Sequence, residues 1–255
     1  MPALPDAPAA PRDPLTSSGP GGGTTPLILV AHGSRHPGVS AALDQLAAAV
    51  ADESGPERLE VSTAFLDLTE PDLGTAAASL RAAGRQRAVV LPLLFTEAFH
   101  ARIDLPATVA KARQDTGLEL ITADVLGTGG DIESLLDSTL AEAGVGPESV
   151  VMVYGVGSSD AEANAAVMSL ASRLGSRRGS WDFAAFATCD PRADEQLGRV
   201  DRLIVLPLFV SPGLLLTRLE TAAAEHGVTV LPPLGTRLAP VIYARYRSAL
   251  TPRHR

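Results

Sequence analysis

The chain has 255 residues, of which 45% are hydrophobic, and its formal net charge at pH 7 is −8. This length allows one large domain or two small ones. The acidic charge argues against nucleic acid as a partner, and no apolar run reaches the roughly 18 residues that a membrane-spanning helix needs. The single cysteine, Cys189, excludes an internal disulfide and any multi-cysteine metal site. The first residues lack the basic start and apolar centre of a signal peptide, so we expect a cytoplasmic protein.

The first half of the chain alternates short apolar runs with helical patterns, after a tail (1–25) whose composition favours disorder. The apolar runs are rich in branched residues, which is typical of strands buried on both faces. Alternation of this kind predicts an α/β fold with a parallel sheet covered by helices. The predicted strands are 27–31, 59–66, 87–95 and 118–122, and the predicted helices are 39–54, 72–83, 107–116 and 131–143.

The second half repeats the pattern of the first half in the same order. The run Val150–Ser158 resembles Leu27–Ser34, and Arg202–Leu208 resembles Arg87–Leu93. A duplication of this length predicts two similar lobes that face each other across a cleft. The expected units are a first lobe (26–145), a second lobe (146–250) and a frayed tail (251–255).

The two copies differ at positions where the first copy has ionisable side chains. The second copy has Val156 opposite His32 and Ala187 opposite Asp67. We therefore expect the chemistry in the first lobe, while the second lobe supplies one wall of the cleft.

His32 and His100 each follow a predicted strand of the first lobe, at the sheet edge where open α/β folds bind ligands. Two neutral imidazoles there suit a divalent metal such as iron(II), cobalt(II) or nickel(II), and either imidazole can accept a proton. Asp67 ends another predicted strand on the same edge, and Glu70 and Glu97 are nearby carboxylates. An isolated histidine is more often a capping or loop residue, but two histidines with an aspartate on one edge favour a functional site.

Other candidate residues have ordinary structural interpretations. We expect His36 in a solvated loop, His226 at a helix end, His254 in the basic tail and Cys189 in a structural role. The pair Gly33-Ser34 precedes a helix, where backbone N–H groups can receive an anion. The lysine of a phosphate-binding loop and the glycine pattern of dinucleotide sites are missing, which argues against a nucleotide enzyme.

Three motifs of the first lobe, Ala31–Arg35, Phe65–Pro71 and Leu91–Pro106, resemble those of the sirohydrochlorin chelatases. These are the ATP-independent, class II chelatases of sirohaem and cobalamin synthesis. No single motif is unique to the family, but the three in this order, with a duplicated sheet, are specific. The resemblance covers about residues 27–250.

The resemblance implies roles for individual residues of this chain. His32 and His100 correspond to the family's metal-binding histidines, and Asp67 stands where many members have a glutamate. The residues expected to bind carboxylates of the tetrapyrrole are Ser34, Arg35 and Arg102.

The implied reaction is insertion of Fe2+ into sirohydrochlorin to give sirohaem, without ATP and with no cofactor beyond the substrate metal. Two alternatives stay open: cobalt or nickel insertion into the same ring, or a non-catalytic carrier of metal or tetrapyrrole. We expect no nucleic-acid or membrane partner, and either a monomer with fused lobes or a weak homo-oligomer.

Overall fold

The computed structural model describes residues 24–56, 58–96 and 104–251. Within these ranges, strands and helices alternate in the order that the apolar runs predict. The strands are β1 (Leu27–Ala31), β2 (Val61–Phe65), β3 (Arg87–Pro92), β4 (Glu119–Thr122), β5 (Val150–Gly155), β6 (Phe183–Phe186), β7 (Leu203–Pro207) and β8 (Thr229–Val230). The helices are α1 (Val39–Asp52), α2 (Leu73–Ala82), α3 (Leu105–Thr116), α4 (Gly130–Glu142), α5 (Ala161–Arg178), α6 (Leu214–Glu225) and α7 (Ala239–Leu250). None of these helices is both long and apolar enough to cross a membrane.

The strands form two parallel sheets of four strands each. The strand orders are β2-β1-β3-β4 and β6-β5-β7-β8, so the second sheet repeats the order of the first. The registers also correspond, because Ala31 pairs with Phe65 in the first sheet and Gly155 pairs with Phe186 in the second. The predicted α/β fold with two duplicated parallel sheets is confirmed.

The central strand β1 shows why its sequence is apolar throughout. Successive side chains of a strand point to opposite faces of the sheet. Leu27 and Leu29 pack into one apolar layer, and Ile28 and Val30 pack into the layer on the other face. Helices cover both faces, so neither set of side chains contacts water.

Helix α2 begins where the sequence predicts. Asp72 is its N-cap, and the Asp72 carboxylate accepts a hydrogen bond of 2.7 Å from the backbone N–H of Thr75. Hydrogen bonding by the Thr75 side chain, and then by this backbone N–H, lowers the pKa of Asp72, because both bonds stabilise the ionised carboxylate.

Helix α3 begins two residues earlier than predicted, at Leu105, with Pro106 inside its first turn. Proline is accepted there because the first backbone N–H groups of a helix have no intrahelical partner. Strand β3 is shorter than predicted and ends at Pro92.

The last helix of each half packs against the other half. Helix α4 contacts α5, and α7 contacts α1, β3 and β4 of the first half. Glu133 of α4 accepts a hydrogen bond of 2.8 Å from Arg173 of α5, and Arg245 of α7 pairs with Asp131 at 2.7 Å. Each half therefore contributes its last helix to the packing of the other half.

Thr25 belongs to the folded part of the chain, although its composition placed it in the predicted tail. It is buried, and its carbonyl accepts a hydrogen bond of 2.7 Å from the hydroxyl of Tyr246. Its own hydroxyl accepts a hydrogen bond of 3.1 Å from Arg87 Nε. Residues 1–23 of the predicted tail lie outside the described residues.

Candidate functional site

The loops that follow strands of both sheets border one cavity of about 230 Å³. Thr96 follows β3, and Gly127 follows β4; they line it from the first half. Asp160 and Glu162, at the start of α5, line it from the second half. The carboxyl edges of the two parallel sheets therefore meet here, as expected for a ligand site of an open α/β fold.

His32 and Asp67 are brought together at this edge by the main chain. The backbone N–H of Asp67 donates a 3.0 Å hydrogen bond to the carbonyl of His32. This bond extends the hydrogen-bond pattern between β1 and β2, in which the N–H of Leu66 donates to the carbonyl of Ala31 at 2.9 Å. Both His32 and Asp67 are exposed, so their side chains are accessible to a ligand.

Gly33 allows the two loops to approach so closely. Its φ of +97° lies in the region that favours glycine, and an added Cβ would lie 1.7 Å from the carbonyl oxygen of Asp67. No larger residue fits without moving the loop that contains Asp67. Gly33 is therefore required for the geometry of this pair.

Thr69 connects the loop after β2 to the turn after β1 through two hydrogen bonds. Its hydroxyl accepts a hydrogen bond of 3.1 Å from the N–H of Ser34 and donates one of 3.0 Å to the carbonyl of Ser34. The N–H of Ser34 is therefore already hydrogen-bonded to Thr69. The group of Ser34 that can donate to an anion is its hydroxyl. Nothing in the sequence pattern singled out Thr69.

His36 has a structural role in the same turn. The hydroxyl of Ser34 accepts from the N–H of His36 at 3.1 Å, and His36 Nδ1 accepts from the N–H of Gly38 at 3.1 Å. His36 is half-buried and orders the turn before α1, in place of the solvated loop that we expected.

The carboxylates near Asp67 have different environments. Asp67 Oδ1 accepts a hydrogen bond of 2.8 Å from the N–H of Leu68, and Leu68 has a φ of +62°. Glu70 Oε2 instead accepts a hydrogen bond of 3.1 Å from the N–H of Asp72, at the start of α2. Glu70 therefore orders the N-terminus of a helix, and Asp67 is the carboxylate residue whose main chain is hydrogen-bonded to His32.

Three sequence candidates, Glu97, His100 and Arg102, lie outside the described residues. Within the described ranges, no three His, Cys, Asp or Glu side chains form a group that could hold a metal ion. Arg35 is exposed and forms no ion pair with another described residue.

The second half has the same backbone arrangement with different side chains. The N–H of Thr188 donates to the carbonyl of Val156 at 3.0 Å, as that of Asp67 does to His32. Thr188, and not Ala187, is therefore the counterpart of Asp67. The sequence assignment was wrong by one position because the loop to the following proline is one residue shorter in the second half.

Asn164 does in the second half what Thr69 does in the first half. Its amide accepts a hydrogen bond of 2.9 Å from the N–H of Ser158 and donates one of 2.7 Å to the Ser158 carbonyl. It also donates to Cys189 Sγ at 3.4 Å, which agrees with a structural cysteine. An asparagine in the first turn of a helix is the sequence signal that predicts such a local backbone contact.

Comparison with known proteins gives consistent matches over most of the chain. The CbiX family model matches residues 26–143 and 150–249. A sirohydrochlorin cobaltochelatase of Priestia megaterium is 24% identical over 219 residues, which are 78% of this chain and 69% of that protein. A sirohydrochlorin ferrochelatase of Priestia megaterium is 28% identical over 202 residues, which are 75% of this chain and 73% of that protein.

A solved structure shows the same fold. SirB from Bacillus subtilis, determined with Fe3+, has a TM-score of 0.73 and 20% sequence identity, over 89% of this chain and 96% of that one. The family model covers both halves, and the resemblance drawn from the motifs is confirmed. The chain belongs to the CbiX family.

Proposed function

We propose that this protein inserts a divalent metal, with Fe2+ preferred, into sirohydrochlorin to give sirohaem, and that it does so without ATP. The observation that carries this proposal is the main-chain link between His32 and Asp67, at the carboxyl edge of the first sheet. The names of the curated relatives support it, since one is a sirohydrochlorin ferrochelatase and the other a sirohydrochlorin cobaltochelatase.

The proposed metal ligands are His32 and His100. Insertion requires that the metal ion loses part of its hydration shell while coordination positions stay open for the ring nitrogens. Two neutral imidazoles hold a borderline divalent ion by nitrogen and leave such positions free. His32 is exposed at the end of β1, where an incoming metal ion can reach it.

The proposed proton acceptor is Asp67. Two pyrrole N–H protons leave the ring when the metal enters, and a carboxylate beside the metal accepts a proton and offsets positive charge. The N–H of Leu68 donates a hydrogen bond of 2.8 Å to Asp67 Oδ1, and this contact restricts the orientation of the carboxylate.

The proposed carboxylate-binding residues are Ser34, Arg35 and Arg102. The net charge of −8 opposes an anionic substrate, so its carboxylates need local cations. An arginine fork binds a carboxylate through two parallel hydrogen bonds. Arg35 is suited to this role because no described carboxylate neutralises it.

Cobalt is the second candidate metal, because one of the curated relatives is a cobaltochelatase. The intrinsic affinity of nitrogen ligands for divalent metals rises from iron(II) to cobalt(II), so the two histidines alone do not select iron(II). A non-catalytic carrier would bind metal or tetrapyrrole through the same residues, but it would not catalyse insertion.

The test is metal insertion under anaerobic conditions without ATP, with sirohydrochlorin and iron(II), cobalt(II) or nickel(II) in turn. We expect many turnovers per chain, fastest with iron(II). His32→Ala and His100→Ala should each reduce the rate on the order of 100-fold or more. His226→Ala is the control, because His226 lies at the C-terminus of α6. Binding of one ring or one metal ion without turnover would contradict catalysis and indicate a carrier.

A further inference from the structure

Exposed apolar side chains are concentrated at the edge of the sheets that contains the candidate site. Within the described residues, five large apolar side chains are substantially exposed. Three of them follow strands at a carboxyl edge: Leu68 (48% exposed), Val156 (46%) and Leu214 (48%). The other two, Met168 and Trp181, lie on α5 and just before β6.

Leu68 occupies a backbone conformation that disfavours its own side chain. Its φ of +62° is unusual for any residue other than glycine, asparagine or aspartate. The hydrogen bond from its N–H to Asp67 Oδ1 and the link between Thr69 and Ser34 hold the loop in place. The fold therefore maintains an apolar side chain in solvent, next to Asp67, at a conformational cost. Strain of this kind is concentrated at ligand sites.

Val156 has an equally well-defined position in the second half. It occupies the register position of His32, and its carbonyl accepts hydrogen bonds from Thr188 N–H (3.0 Å) and Thr188 Oγ1 (2.8 Å). One exposed apolar residue needs no explanation. Val156 is informative because Leu68 and Leu214, two further exposed apolar residues, also follow strands at a carboxyl edge.

Leu214 is the first residue of α6, and the start of this helix is hydrogen-bonded to β5. The hydroxyl of Tyr154, two residues before Val156, donates a 3.1 Å hydrogen bond to the carbonyl of Leu215. Arg218 follows Leu214 by one helical turn, is exposed, and forms no ion pair with a described residue. An apolar side chain and a cationic side chain thus lie on one face of α6.

We infer that Leu68, Val156 and Leu214 form an apolar contact surface for the tetrapyrrole ring, with Arg218 at its rim for one ring carboxylate. The inference rests on the proposed function. A tetrapyrrole has flat apolar faces and carboxylates at its periphery, and this surface matches both features. The second half, which lacks the ionisable pair, thereby takes part in substrate binding.

The experiment measures the binding of metal-free sirohydrochlorin by its fluorescence, together with the KM for the ring and for the metal. Leu68→Asn is the most informative variant, because asparagine accepts a positive φ and removes the apolar contact without harming the fold. We expect its Tm to equal or exceed that of the unmodified chain. Its Kd and its KM for the ring should rise about tenfold, with the KM for cobalt(II) unchanged.

Val156→Thr keeps the shape of the side chain and should also weaken ring binding. Met168→Gln is the matched control, because it removes an exposed apolar side chain elsewhere and should leave ring binding unchanged. If the unmodified chain binds and metallates the ring, and Leu68→Asn and Val156→Thr do so with the same Kd, the contact surface is wrong while the proposed function stands. If the unmodified chain does not bind sirohydrochlorin, both are wrong.

Discussion

At Gly33 the turn after β1 approaches the loop of Asp67 so closely that a methyl group has no room. Replacing it by alanine forces either a backbone clash or a shift of the loop, and adds the cost of a positive φ. We expect Gly33→Ala to lower the free energy of unfolding by at least about 1–3 kcal/mol and to abolish metal insertion. Urea unfolding and the insertion assay measure the two effects.

Gly84 provides the matched control for this substitution. Its φ is +82°, but no atom lies within 4 Å of an added Cβ. Gly84→Ala should therefore lose about 1 kcal/mol of stability through backbone strain alone and insert metal at the unmodified rate. Normal turnover by Gly33→Ala would show that the spacing of His32 and Asp67 does not control activity.

The residues of the candidate site differ in how well the sequence predicted them. His32 and Asp67 were predictable, because polar residues that follow buried parallel strands meet at one sheet edge. Thr69 was not, since its bonds to Ser34 depend on a loop conformation that periodicity does not encode. The bonds of Asn164 to Ser158 had a local signal, an asparagine in the first turn of a helix.

Among the secondary-structure elements, α7 connects the two halves through its packing against α1, β3 and β4. It belongs to the second half of the sequence but buries Val241, Ile242 and Tyr246 against the first half. Full burial of each such side chain contributes about 1.5–3 kcal/mol, and the total is comparable with the roughly 5–15 kcal/mol that stabilises a domain.

A chain that ends at Leu238 should therefore fail to fold its first half. Circular dichroism should show a large loss of helix, and the protein should aggregate through the uncovered apolar layer. Removal of residues 253–255 alone is the control and should leave the Tm unchanged. A cooperative transition near the original Tm in the chain that lacks α7 would contradict this role.

Two buried tyrosines make stability sensitive to alkaline pH. Burial raises the pKa of Tyr154 and of Tyr246 to about 12 in each case. A raised pKa means that the stabilisation is complete below the ordinary tyrosine pKa of about 10 and is lost as the pH rises towards 12. We expect the free energy of unfolding to fall between these pH values.

Tyr246→Phe tests the contribution of one group. It should reduce the slope between pH 10 and pH 12, because phenylalanine does not ionise. It should also lower stability at pH 8 by about 1 kcal/mol, through loss of the hydrogen bond to Thr25. If the pH profile of the variant runs parallel to that of the unmodified chain, Tyr246 does not cause the alkaline loss.

The alternation of strands and helices was predictable from hydrophobic periodicity, but the packing of α4 and α7 was not. An amphipathic pattern shows which face of a helix is buried, and not which sheet covers it. For α7, the partners include Thr25 and the carbonyl of Val125, both distant in sequence. The exchange of terminal helices between the halves is visible only in three dimensions.

On the scale of the whole molecule, one fold occurs twice and the chemistry is assigned to one copy. Both sheets have the same strand order, and both place a main-chain link between the ends of neighbouring strands. In the first half the linked residues are His32 and Asp67, and in the second half they are Val156 and Thr188. Because valine is not a metal ligand, we propose one metal site in each chain.

Metal stoichiometry on the intact chain tests this assignment most directly. The titration uses cobalt(II) under anaerobic conditions, with the unmodified chain, His32→Ala and the control His226→Ala. We predict one equivalent of bound cobalt per chain, loss of that equivalent in His32→Ala, and its retention in His226→Ala. Two equivalent sites, or a single site that survives His32→Ala, would contradict a single metal site in the first half.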